Sequence, residues 1–374
     1  MRILIISQHI HPMQSPRSYR TSELAMEFAK QGYETILYAV IGKNNKPALQ
    51  HPKLKVKNIN YMLFSTVNSY GQYRKSIIDR ILTKGLKGLI EFPDIEFMFK
   101  VPLILKKETD IDLLITISMP HPINWGAALS KSIFKHGFPK VWISDSGDPY
   151  FGDTVNKKKF FYFKYIENFW LRKTDYITIP LQEGKNGYNS VYHEKFRIIP
   201  QGVDLLQFDI NTQYTKNDVS TFAYAGSIYP QFRDPSNLLR YLANLEIDFK
   251  FVVYTKSKLF FNNFIKVLGE KLEIRDYIPR KELVSKLSQM DFILDISNPS
   301  TIQKPSKHID YLIAGRPVIE ITSEFDKDTQ IKFQQFIDGN YSQQAYLGNL
   351  NDFDIKNVAN KFIDLYNKKM SNGF

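Results

Sequence analysis

Apolar runs of strand length alternate with amphipathic stretches of helix length along most of the chain. Arg2-Ile3-Leu4-Ile5-Ile6-Ser7 has the branched, continuous character of a strand buried on both faces. A polar loop from Gln8 to Ser18 precedes a helix expected from about Tyr19 to Gln31, with Leu24 and Phe28 on one face and Gly32 at its end. Thr35–Val40 is the second strand. Ile111–Ser118, a helix over Ile123–Phe134, the strand Val141–Ser144 and then Tyr176–Ile179 repeat the pattern. After a polar spacer it resumes at Thr221–Ala225, Phe251–Tyr254 and Phe292–Ile296. Strand, helix, strand in this order predicts doubly wound parallel sheets, whose ligands sit beyond the C-terminal ends of the strands.

The richest chemistry is predicted just past Phe292–Ile296. Ser297-Asn298-Pro299-Ser300 are loop formers, and Pro305 suits a first helical turn. Ile309, Leu312 and Ile313 share one helix face, Gly315 and Pro317 end the helix, and Val318-Ile319-Glu320-Ile321 returns to strand. In this βαβ unit the helix N-terminus offers unpaired N–H groups and a dipole to a phosphate, and Lys304 and Lys307 add mobile positive charge. Asp310, one turn on, suits the vicinal hydroxyls of a ribose, or serves the dipole of a Ser-capped helix. A second corner of this kind lies at Gly226-Ser227, with Asp234 and Pro235 opening the next helix and Arg233 at its positive end. Lys256 either adds charge there or is solvated.

Size and charge narrow the field. With 374 residues and a hydrophobic share of 43%, two domains with substantial cores are expected. The net charge of +12 calls for an anionic partner, and the absence of cysteine removes disulfides and thiolate metal sites. No apolar run approaches the ~18 residues of a spanning helix, and Met1–Ile6 is too short for a signal core, so a cytoplasmic location is expected. The first strand is followed by no Gly-x-Gly-x-x-Gly, which argues against a nicotinamide dehydrogenase, and no base-reading module indicates nucleic acid. Asp110 with Asp112, and Asp352 with Asp354, have the spacing of a metal-binding pair but lie at turns, so no metal is expected.

Several segments together resemble family-4 glycosyltransferases over nearly the whole chain. Pro305-Ser306-Lys307-His308-Ile309-Asp310-Tyr311-Leu312-Ile313-Ala314-Gly315-Arg316-Pro317 is similar to that family's P-S-K-x-x-E-Y-L-A-x-G-x-P segment, with Asp310 in place of its glutamate. The position eight residues earlier, often a second glutamate, is Ile302. Ile198-Ile199-Pro200-Gln201-Gly202-Val203-Asp204 resembles the V-I-P-N-G-V-D linker, with Pro200 and Gly202 as a natural hinge. Asp145-Ser146-Gly147-Asp148-Pro149-Tyr150 looks like D-x-R-D-P-W, with Gly147 for arginine and Tyr150 for tryptophan. Ser15-Pro16-Arg17 followed by Arg20 is similar to a subset of the family.

The resemblance implies a GT-B fold, two Rossmann-like parallel-sheet domains facing across a cleft. The expected boundaries are 1–202 on the acceptor side and 203–354 on the nucleotide-sugar side, with a final helix, 355–374, packing back on the first. It implies transfer of a sugar from a UDP- or GDP-sugar donor to the hydroxyl of a glycan or lipid-linked acceptor, with retention, in capsule, O-antigen or exopolysaccharide synthesis. His121, Arg233 and Lys307 are the expected catalytic residues. Gly226, Ser227, Lys256, Tyr277, Ile278, Lys304, Pro305, Ser306 and Asp310 are expected to bind the donor, and Ser15, Arg17, Arg20 and Asp148 to lie on the acceptor side. Against these roles stand ordinary ones: a structural His121, solvated arginines, and Asp148 as a cap. A nucleotide-sugar epimerase of the same fold and a non-catalytic nucleotide-sugar-binding protein are the alternatives.

Two basic, apolar stretches, 74–90 and 157–173, suit peripheral contact with an anionic membrane surface, or packing on their own domain with solvated lysines. In the first, Ile77, Ile78, Ile81, Leu82, Leu86, Leu89 and Ile90 keep helical spacing.

Overall fold

A computed structural model of the protein describes residues 1–13, 15–41, 48–59, 85–134, 136–152, 159–208, 214–229, 233–296 and 307–372. The chain divides into two compact units, Met1–Asp204 with Asp352–Phe374, and Leu205–Asn351.

The first unit is built on seven parallel strands: β1 (Arg2–Ile6), β2 (Glu34–Ala39), β3 (Leu54–Asn58), β4 (Leu113–Ser118), β5 (Val141–Ser146), β6 (Tyr176–Ile179) and β7 (Phe196–Ile198). Their order in the sheet is β3-β2-β1-β4-β5-β6-β7, which reverses direction at β1 and β4. Alternate residues of β1 serve opposite cores. Ile3 and Ile5 pack with Leu24 and Phe28 of α1 (Pro16–Lys30) and with Val358 and Phe362 of α11 (Ile355–Ser371). Leu4 and Ile6 face α3 (Glu96–Lys107), α4 (Pro122–Ile133) and α5 (Phe163–Lys173), through Val101, Trp125 and Trp170. Burial on both faces is why the strands read as unbroken apolar runs. Residues 85–90 form a short helix, α2, ahead of α3.

Helix α1 begins three residues before the expected Tyr19. Ser15 caps it, its Oγ accepting from the Ser18 N–H at 3.1 Å, and Pro16 occupies the first turn where a missing N–H costs nothing. The linker residues belong to the first unit's packing. A side chain on Gly202 would meet Ile355 Cδ1 at 2.5 Å, so close approach to α11 is what this glycine supplies.

The second unit holds β8 (Ser220–Ala225), β9 (Phe249–Tyr254), β10 (Leu272–Arg275), β11 (Phe292–Ile296) and β12 (Val318–Ile321) in the order β10-β9-β8-β11-β12, all parallel. Its reversal lies between β8 and β11. Around it stand α6 (Ser236–Ala243), α7 (Asn262–Leu268), α8 (Arg280–Leu287), α9 (Lys307–Ala314) and α10 (Lys327–Ile337). Phe222 stacks between Phe251 and Phe292 at the centre of its core. Among the described residues no helix is long and apolar enough to cross a membrane.

Candidate functional site

In the second unit β8 and β11 are neighbours at the point where the strand order reverses, the place at which open parallel sheets bind ligands. Gly226 follows β8 with φ +154°, and its N–H donates to the Tyr254 carbonyl at 3.0 Å. Ser227 is exposed, and its carbonyl accepts from the Tyr224 hydroxyl at 3.1 Å. From the other side α9 brings Lys307 into the same corner, with its ammonium 4.8 Å above the Tyr224 ring and 5.7 Å from that of Tyr311. The mobile charge expected of Lys307 is instead held in place. It is ion-paired with Asp295 at the end of β11, whose second oxygen lies 2.5 Å from His308 Nε2. Burial pushes the Asp295 carboxyl up, but the His308 hydrogen bond and the Lys307 charge outweigh it and hold the pKa at about 2. For Lys307 burial wins and lowers the ammonium, against the pull of Asp295.

Arg233 adds a second cation close enough to repel Lys307, and its Nε is buried with no hydrogen-bond partner among the described residues. Asp234 Oδ1 accepts from the Ser236 N–H at 2.8 Å, so α6 starts one residue after the expected Pro235. Arg233 and Lys307, the latter paired with Asp295, make this corner a candidate for an anion.

Asp310, one turn along α9, faces another way. Its Oδ1 accepts from Arg280 Nε at 2.5 Å, and burial raises its carboxyl against the charge of Arg280. Tyr277 lies close enough to feel Asp310 and is half exposed, with Lys256 5.1 Å above its ring; Ile278 beside it is half-buried. Lys304, Pro305, Ser306 and Ile302 lie outside the described residues. Asp295, His308 and Arg280 are absent from the sequence-based selection. Of these only Asp295 left a signal there, an acid inside an otherwise apolar strand. Asp295, His308 and Glu320 place ligand atoms within 4.8 Å of one another, and the Lys307 ammonium supplies the positive charge at that cluster.

In the first unit the expected acceptor-side residues separate. Arg20 is a correction. It is 4% exposed, clamps both oxygens of the buried Asp145 at 2.8 and 3.0 Å, donates to the Pro200 and Ile199 carbonyls, and lies against Phe362. A guanidinium so occupied ties α1 to β5, the linker and α11, and has no surface for an acceptor. Ser15 is likewise engaged as the cap of α1. Arg17 is more open, 3.8 Å from Asp145 Oδ2, and occupies the space over Gly147, where an added Cβ would fall 0.9 Å from Arg17 Nη2. The position at which the resembling motif has arginine is therefore filled here by an arginine from α1.

His121 stands immediately before α4, 7% exposed, with its ring 4.8 Å from that of Tyr150. Asp148 is half-buried, and its carbonyl accepts from the Tyr188 hydroxyl at 2.9 Å. The Tyr150 hydroxyl donates to Glu91 at 2.8 Å, and Lys159 pairs with the same carboxylate at 2.5 Å. Asp94, three residues on, accepts from Gln8 Nε2 at 3.1 Å. Glu91, Asp94 and Gln8 were not legible in the sequence. Of the Asp-x-Asp pairs, Asp112 holds the Arg2 N–H and Lys140, and Asp354 caps α11.

Of the two basic stretches, residues 74–84 and 157–158 lie outside the described residues. The remainder come together, since the Tyr162 hydroxyl donates to the Leu89 carbonyl. Leu89, Ile90, Phe160, Phe161 and Tyr165 are left exposed.

No family model matches the chain, and no curated protein matches it. Solved structures do. The chain is similar to a sucrose-phosphate synthase from Thermosynechococcus elongatus, at 13% identity over 100% of both chains with a TM-score of 0.67. It is similar to a glycosyltransferase from Rickettsia africae ESF-5, at 14% identity over 99% of both chains with a TM-score of 0.63. A variant of S. aureus TarM solved with fondaparinux, alpha-GlcNAc-glycerol and UDP is 10% identical over 98% of this chain and 100% of that one, with a TM-score of 0.58. At such identities the likeness is one of fold: this chain has the two-domain, Rossmann-like GT-B fold.

Proposed function

We propose that the protein transfers a sugar from a nucleotide diphosphate donor to an acceptor hydroxyl. One observation carries the reading: Lys307 and Arg233 converge, partly buried, at the strand-order reversal of the second unit, with Asp295 and His308 beneath them. As the glycosyl bond breaks, negative charge grows on the departing diphosphate, and fixed cations in a water-poor corner favour that charge without reorganising. Asp295 keeps the Lys307 ammonium ionised and aimed until an anion arrives. Asp310, steadied by Arg280, holds the ribose, and Tyr277 and Ile278 lie beside the base. Asp148 and Arg17 serve the acceptor side, and His121, as the family-4 resemblance implies, acts on the hydroxyls of the donor sugar.

The family-4 resemblance adds the finer parts of the reading, which are retention at the anomeric carbon, no metal requirement, a UDP- or GDP-sugar donor, and a role in surface-glycan synthesis. The TarM variant of the same fold, solved with UDP, alpha-GlcNAc-glycerol and fondaparinux, supports the kind of ligand. The apolar surface made by Leu89, Ile90, Phe160, Phe161 and Tyr165, with Lys164 among them, supports peripheral contact with an anionic membrane.

The test is nucleotide release from a panel of UDP- and GDP-hexoses. At least one donor is expected to turn over, and Lys307→Ala to lower kcat by about 10²-fold or more. A wild-type protein that binds none of them sinks the reading, as does full activity in the variant.

A further inference from the structure

Turn 91–95 is tied to the loops that follow two strands of the first unit. Gln8, just past β1, donates to Asp94, and Tyr150, just past β5, donates to Glu91. These strands flank β4 in the sheet, and the first of them borders the reversal between β1 and β4, where a sheet of this kind takes its ligand. Most carboxylates along this edge are already engaged. Asp145 is held by Arg20 and Thr178, Glu91 by Tyr150 and Lys159, and Glu167 by the N–H groups of Tyr150 and Phe151. Asp94 differs. Its Oδ1 accepts from Gln8, whereas its Oδ2 accepts no hydrogen bond from any described residue, and the side chain is only half-buried.

We propose that Asp94, oriented by Gln8, is an acceptor-binding residue that takes the hydrogen bond of a sugar-ring or other polyol hydroxyl. This rests on the proposed function. A neutral hydroxyl fits better than a cationic ligand, because Lys87 acts on Asp94 and Lys159 stands on the neighbouring Glu91. Such a bond to a carboxylate is charge-assisted and about twice as strong as one between neutral groups. No proton transfer to Asp94 is involved; its part is to fix which hydroxyl is presented.

The charged state of Asp94 gives the proposal a signature. Burial first, then the charge of Glu91 in the same turn, raise the carboxyl to about 6, against the smaller opposing effects of Lys87 from α2 and Gln8 from the loop after β1. Tyr150 and Lys159 act on it through Glu91. Below that pH a proton blocks the accepting oxygen, so polyol binding weakens as the medium is acidified.

Ligand-observed magnetisation transfer on the full chain, with methyl α-D-glucopyranoside as the probe, tests this at about pH 7.5 and about pH 5. The wild type is expected to bind the glucoside roughly 10-fold more weakly at the lower pH, following the ionised fraction. Asp94→Asn should weaken binding about 10-fold at the higher pH and abolish the pH dependence. Gln8→Ala, which keeps the carboxylate, should weaken it about 3-fold and is the second variant should Asp94→Asn not fold. Absence of glucoside binding by the wild type overturns the proposal, as does wild-type affinity in either variant or a retained pH dependence in Asp94→Asn. UDP binding, measured on the same samples, reports on Lys307 in the other unit. Its absence would sink the donor reading, whereas normal UDP binding with unaltered glucoside binding in the variants would sink only this one.

Discussion

Arg20 shows how far a residue's role can lie from its local sequence. Beside Ser15-Pro16-Arg17 it reads as one of a pair of surface cations, yet its partner Asp145 is 125 positions away. Burial pushes the Asp145 carboxyl up, and the charge and hydrogen bonds of Arg20 more than reverse this, so its pKa is lowered. A depressed carboxylate contributes stability that is present above its unfolded value and lost as pH falls through its folded one. Arg20→Ala would leave that carboxylate with the Thr178 hydroxyl and with Arg17 at 3.8 Å. The expected loss is about 3–5 kcal/mol of folding stability, read from a shifted denaturant midpoint. Arg17 and Gly147 make the complementary point. Gly147 is a gap in a motif only while α1 is out of view, because an arginine arriving from that helix uses the space. Neither pairing is encoded within any window of the sequence.

Elements were far easier to anticipate than contacts. Strands buried on both faces announce themselves as short branched apolar runs, and Tyr176–Ile179 and Phe292–Ile296 fall where they were expected. The misplaced start of α1 has a local cause in Ser15 and Pro16, whose capping chemistry outranks hydrophobic periodicity in setting the first turn. Helix α5 carries a buried acid that periodicity hides. Glu167 is 3% exposed and accepts the N–H groups of Tyr150 and Phe151 at 3.1 and 3.2 Å. Burial raises its pKa from 4.5 to about 7, only partly offset by those two donors. Since the folded pKa exceeds the unfolded one, the folded state holds an extra proton between those values, and stability from this group falls as pH rises through the same window. Glu167→Gln is therefore expected to raise stability by about 1–2 kcal/mol at about pH 8 and to change it little near pH 5. Thermal melts at the two pH values check this.

At the scale of the whole molecule, the βαβ alternation was enough to expect doubly wound parallel sheets, and the family-4 resemblance added the two-domain GT-B fold. The strand orders were not readable, because sequence proximity does not say which strands become neighbours. The corner proposed for the donor could be picked out through Lys307, Arg233 and Gly226, since helix starts and glycines after strands carry local signatures. Its support, Asp295 and His308, emerges only when β11 and α9 are packed together. The net charge of +12 becomes informative in the same way, through the exposed aromatic surface beside Lys164. Phe161→Ser combined with Lys164→Glu is expected to lower sedimentation with phosphatidylglycerol vesicles several-fold, about 1 kcal/mol coming from the lysine. Undiminished sedimentation would remove the membrane contact from the proposal.

Helix α11 follows the entire second unit in the chain, yet it supplies Val358 and Phe362 to the interior of the first, against Phe28. During translation the second unit can close as soon as its own residues emerge. The first must wait, one flank of its sheet uncovered, until Ile355–Ser371 has left the ribosome. The face of the first sheet that α11 covers is thus completed by the last helix described, after the whole second unit has been made.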